Sequence, residues 1–227
     1  MGRLATNQEA RVAVLKSGKK LEYFTIAWHL LEGGISVVAG AMAGSLSLVG
    51  FGLDSFIELV SGVAMLWRIG VDHRLEQRER NEMLTLKFIG WCFMALAVYL
   101  IFESTVSLVK REAPERSPVG IAIAVLSLIV MPIISRAKRS IGARLHSPAM
   151  NADAKQADFC AYLASILLIG LLLNYLFHWW WADPLAAIVM ALIIGNEGIN
   201  ASTGQGHCCD THDRNKLEGA GSTLRRI

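Results

Sequence analysis

Apolar residues in this chain of 227 residues gather into six windows, at about 21–43, 46–67, 86–109, 118–135, 154–177 and 183–198. Each approaches the roughly 20 residues that a helix needs to cross the hydrocarbon core of a bilayer. The third window is unambiguous, whereas the second, fifth and sixth are short or broken by polar groups. The pattern predicts an all-α membrane protein with six transmembrane helices, preceded by a polar segment over 1–20 and followed by a polar tail over 199–227. Between the second and third windows, the charged run from Arg68 to Thr85 reads as a solvated helical extension that carries no site. Pro118 suits the first turn of the fourth helix, and Pro132 predicts a kink within it. His178 to Pro184, HWWWADP, reads as an outer turn with an aromatic interface belt, and Asp183 with Pro184 as the cap and first turn of the sixth helix.

Composition agrees with a membrane setting, at 53% hydrophobic and 18% charged residues. The position of the basic residues adds an orientation. Arg3, Arg11, Lys16, Lys19 and Lys20 precede the first window; Arg68, Arg74, Arg78 and Arg80 follow the second; Arg136, Lys138, Arg139 and Arg144 follow the fourth. The opposite side has Lys110, Arg111 and Arg116, so the positive-inside rule predicts cytoplasmic termini. Because the polar start MGRLATNQEA lacks the apolar core of a cleaved signal, the first window is expected to be a retained helix of a multi-pass integral protein. The basic clusters follow topology and call for no nucleic acid. Four cysteines, two within windows and two adjacent in the tail, predict reduced thiols rather than a disulfide framework. The chain shows no HExxH, no GxSxG and no phosphate-binding glycine loop, and an enzyme is not expected.

Candidate chemistry lies in the acids that interrupt the apolar windows. Asp54 and Glu58 in GSLSLVGFGLDSFIELVS are four residues apart and share one helix face. A charge at the bilayer centre costs about 2.5 to 3.5 kcal/mol on insertion scales, so such a face must meet protein, water or an ion. Glu32 in the first window is a third buried acid, equally open to a hydrated or hydrogen-bonded role. In the fifth window Asp153, Gln156 and Cys160 share a face, and Asp158 lies well round the helix from Cys160. Cys92 reads as a small core residue, and Glu103 as an acid near the outer end. In the tail His207, Cys208, Cys209, Asp210 and His212 could capture metal, although their spacing matches no zinc finger, and a tail with incidental ligands is equally consistent.

At these two helices the chain resembles the cation diffusion facilitator family, whose members are six-span divalent metal exporters. GSLSLVGFGLDSFIE fits the second-helix pattern G-S-x-x-L-x-x-x-x-x-[HD]-S-x-x-D without a gap, with Asp54 at the first metal position and Glu58 at the second. ADAKQADFC aligns with the fifth-helix pattern A-D-A-x-H-x-x-x-D, where Gln156 stands in place of His and Cys160 in place of Asp. The resemblance implies a transporter domain over 21–198, a homodimer, and a form without the family's usual cytoplasmic C-terminal domain. It also implies residence in the plasma (inner) membrane of a prokaryote. The metal ligands would be Asp54, Glu58, Gln156 and Cys160, with Glu32, Asp153 and Asp158 as secondary metal or proton groups. The expected substrate is a divalent cation, zinc foremost, with cadmium, cobalt, manganese or iron as alternatives and no prosthetic group. Because ligands must lose protons to bind metal, one site would suffice for metal and proton exchange, with export out of the cytoplasm. The competing reading is a membrane metal sensor or partner-binding protein that binds ions without moving them.

Overall fold

In the computed structural model the described residues are 2–70, 75–111, 114–145 and 148–203. They form six helices: α1 (Gly2–Ala43), α2 (Leu46–Gly70), α3 (Leu75–Lys110), α4 (Pro118–Leu145), α5 (Pro148–Phe177) and α6 (Ala182–Thr203). Each contains a stretch long and apolar enough to span a membrane, from Ala13–Ala43 in α1 to Ala182–Ser202 in α6. The six apolar windows are thus six helices, but the helices outrun them. α1 includes most of the polar lead-in, and α4 continues through Pro132 to Leu145. Length beyond the bilayer costs little where charged side chains can reach water, so apolar patterning sets the spans and not the helix ends. The tail cluster at His207, Cys208, Cys209, Asp210 and His212 lies outside the described residues.

The outer faces of the bundle are apolar, and its interior holds a polar stripe beside an apolar cluster. Tyr23, Phe24, Leu30, Leu31, Val38 and Met42 of α1 are exposed, whereas Glu22, Thr25, His29, Glu32 and Ser36 of the same helix are buried. The buried set is spaced 3, 4, 3, 4 along the chain, which is one continuous face of an α-helix. Hydrocarbon is as good a solvent for Leu as a protein core is, so nothing drives apolar side chains inward. Polar groups, by contrast, must find partners inside the protein. An apolar cluster of Leu48, Phe51, Leu100, Met131, Leu163 and Ile194 fills the remaining interior. The helices pack most extensively in pairs, α1 on α2, α3 on α6 and α4 on α5. At Gly90 of α3 and Gly198 of α6 the approach is backbone to backbone: an added Cβ would lie 2.8 Å and 2.9 Å from the other glycine's carbonyl oxygen.

α1 ends in a left-handed Gly44 (φ 64°), with the Ser45 amide donating 2.9 Å to the Gly40 carbonyl, a Schellman closure that turns the chain directly into α2. The start of α2 is capped locally by Ser45, whose Oγ accepts from the Leu48 amide at 3.3 Å, and also from a distance. The Asp183 carboxylate accepts from the Leu46 amide (2.8 Å), the Ser47 amide (3.4 Å), the Ser45 hydroxyl (2.6 Å) and the Ser47 hydroxyl. This corrects the reading of Asp183 as the cap of its own helix, since it lies within the first turn of α6 and caps α2 instead. The cause is burial: a sealed carboxylate takes the strongest donors within reach, and the free amides and positive dipole end of α2 are those donors.

Candidate metal centre

The polar face of α1 meets α2 and α5 in the middle of the bundle. His29 Nδ1 lies 3.3 Å from Glu58 Oε2 and 3.4 Å from Glu32 Oε2. These approaches are close without being directed as hydrogen bonds, and Nδ1 has no hydrogen-bond partner. Ser55 Oγ has Glu32 Oε2 at 3.2 Å and the Phe51 carbonyl at 3.1 Å as acceptors. Cys160 is sealed from solvent beside Glu58. One ligand atom from each of His29, Glu58 and Cys160 lies within 4.8 Å of the other two. A nitrogen, an oxygen and a sulfur from three helices therefore converge on one point, a donor set suited to zinc and other borderline or soft divalent ions.

Both oxygens of Glu58, both of Asp54 and Oε1 of Glu32 are buried without a hydrogen-bond partner among the described residues. Leaving one such polar atom unsatisfied costs about 1 to 3 kcal/mol, and more when it is charged. Five of them in one region are what a bound cation or protons would satisfy.

The sequence-derived candidates separate in the structure. Glu58 and Cys160 meet, and Glu32 borders them through His29. Asp54, fully buried, has Glu32 and Glu197 of α6 as its electrostatic neighbours and is not part of the three-residue convergence. The Gln156 carbonyl oxygen accepts from Ser61 Oγ at 3.0 Å, which ties α5 to α2. Asp153 pairs with Lys138, and Lys138 Nζ also reaches Glu22 Oε2 at 3.2 Å. Asp158, partly exposed, pairs with Arg139 on another face. His29, Glu22 and Lys138 were not among the sequence-derived candidates. The 3-4-3-4 polar stripe of α1 was the signal for the first two; for Lys138 there was none, because it reads as one member of a basic cluster.

The cation efflux transmembrane domain family matches residues 26–201. An uncharacterized transporter of Methanocaldococcus jannaschii is 24% identical over 75% of this chain and 62% of its own length. The cation-efflux pump FieF of Shewanella oneidensis is 24% identical over 73% and 58%, and the manganese efflux system protein MneS of Bacillus subtilis 22% over 79% and 64%. The chain spans about three fifths of the length of these relatives. With its six spans and with the match covering most of its length, the chain belongs to the cation efflux transmembrane domain family.

Proposed function

We propose that this protein moves a zinc-like divalent cation across a membrane, out of the cytoplasm and in exchange for protons, by way of the centre at His29, Glu58 and Cys160. The observation that carries this reading is the convergence of three different ligand atoms beside five buried, unpartnered carboxylate oxygens. Asp54 supplies a further ligand one helical turn from Glu58, and Glu32 holds a proton or a second contact through His29. The metal is the cargo. It enters from the side on which α1 and α5 begin, taken as cytoplasmic from the distribution of Lys and Arg, and sheds its water for N, O and S donors that must be deprotonated to receive it. When the bundle opens to the other side, protons compete for the same atoms and release it. The membrane domain over 21–198 carries the pathway and the tail lies outside it.

Flux of zinc into sealed vesicles containing the purified protein tests the proposal. Glu58→Gln keeps the shape and removes the charge, and it should reduce flux at least a hundredfold while the protein remains inserted and helical. Flux in that variant within threefold of the unaltered protein would refute the assignment. Binding without flux in the unaltered protein would favour the sensor reading.

A further inference from the structure

The stripe of α1 and the stripe of α5 do not end at the metal centre. Seven residues before His29 stands Glu22, and seven before Cys160 stands Asp153. Seven residues are two helical turns, so both acids lie on the same faces as the ligands, about 10 Å along the bundle toward the ends where α1 and α5 begin. Between the two levels are Thr25, buried on α1, and the Ser61–Gln156 hydrogen bond joining α2 and α5. A polar ladder thus runs from Glu22 and Asp153, through Thr25, Ser61 and Gln156, to His29, Glu58 and Cys160.

A cation already occupies the lower rung, and it belongs to the protein. Lys138 of α4 is 2% exposed, and its ammonium group bridges Glu22 Oε2 (3.2 Å) and the Asp153 carboxylate. Two carboxylates against one ammonium leave the rung an excess negative charge when all three are ionised, and the second oxygen of Glu22, sealed from solvent, has no hydrogen-bond partner. Three helices meet at this charge cluster. A structural staple would be satisfied by one acid per base; this cluster holds one acid more than its own lysine neutralises.

We propose that Glu22 and Asp153 form an access site for a divalent cation, and that Lys138 is a tethered cation that plugs it until an incoming metal ion displaces the ammonium. The inference rests on the transport reading above and adds a second, lower station to it. Divalent charge is the chemistry that fits: two carboxylates from two helices are matched by one +2 ion as they are not by one +1 ammonium. Withdrawal of Lys138 also breaks the ion pairs that tie α4 to α1 and α5 at this level, so that filling the lower rung and loosening these ties are one event.

Equilibrium binding of cadmium alone to purified full-length protein tests this without requiring flux. In a Glu58→Gln background, and at cadmium concentrations too low to displace the ammonium, Lys138→Met should bind one more cadmium ion per protein than Glu58→Gln alone, and adding Asp153→Asn should remove it; comparing variants cancels ions held elsewhere. No gain of an ion, in a Lys138→Met protein whose thermal melt shows it folded, overturns the proposal. If that variant does not fold, Glu22→Gln decides: in zinc flux it should raise the half-saturating concentration about tenfold and lower the maximal rate far less. Equal losses in both, or no change in either, mark an ordinary staple and overturn it. A transport-inactive unaltered protein that shows the extra cadmium in Lys138→Met would instead refute the transport reading while leaving the plugged site standing.

Discussion

Cys160 sets the chemical character of the centre. Its sulfur is the one soft donor beside the imidazole of His29 and the carboxylate of Glu58, and soft donors favour cadmium over harder ions. Cys160→Asp should therefore shift flux away from cadmium toward zinc and manganese, by about tenfold in the ratio of cadmium to manganese. Asp158→Asn, on a side chain turned to Arg139, should leave the order of metals unchanged. If Asp158→Asn reorders the metals and Cys160→Asp does not, the assignment of the α5 ligand is wrong. His29→Gln should weaken zinc binding at least tenfold, measured by equilibrium titration; unchanged affinity would remove α1 from the centre. At this scale the sequence was legible where a residue violated its surroundings. An acid in an apolar window stands out, and Asp54, Glu58 and Glu32 stood out for that reason. His29 is compatible with an interface, a core or a site, so only its register with Glu22, Glu32 and Ser36 identifies its face. Gln156 shows the opposite limit, because alignment puts it among the ligands while its carbonyl is engaged by Ser61, a contact that no spacing within one helix can disclose.

Elements were legible through their apolar length, and their ends were not, since the ends depend on water and on caps supplied by other helices. Gly44 and the Asp183 carboxylate together define the α1–α2 corner. Removing the carboxylate in Asp183→Ala leaves the buried Leu46 and Ser47 amides without acceptors, at a cost of about 1 to 3 kcal/mol. Thermal unfolding in detergent should show a lower midpoint with zinc affinity little altered; an unchanged midpoint would mean that water replaces the carboxylate. The α3–α6 pair depends on glycine in a different way. Gly198→Val would drive a side chain into the Gly90 carbonyl, and the two helices would have to separate, costing about 1 to 3 kcal/mol of packing. Cross-linking between cysteines placed on α3 and α6 would report the separation as a loss of yield.

For the whole molecule, the transport reading implies that ion movement is coupled to helix movement through the buried polar residues. The centre draws on α1, α2 and α5, and the Lys138 cluster on α1, α4 and α5, so an ion passing between them crosses contacts that hold four helices together. Proton exchange implies that zinc efflux from loaded vesicles accelerates when the receiving side is acidified, by about tenfold per unit if one proton limits release; a rate indifferent to the pH of that side would exclude proton coupling. One contact also orders the protein in time. The carboxylate that completes the start of α2 is Asp183, 137 residues later than Leu46, in the last of the six helices. While the chain is being synthesised, α2 has only its local Ser45 cap until α6 has been inserted and Asp183 joins it. The last contacts of that corner therefore form only once α6 is in place, and a chain arrested before α6 leaves the Leu46 and Ser47 amides without the Asp183 acceptor.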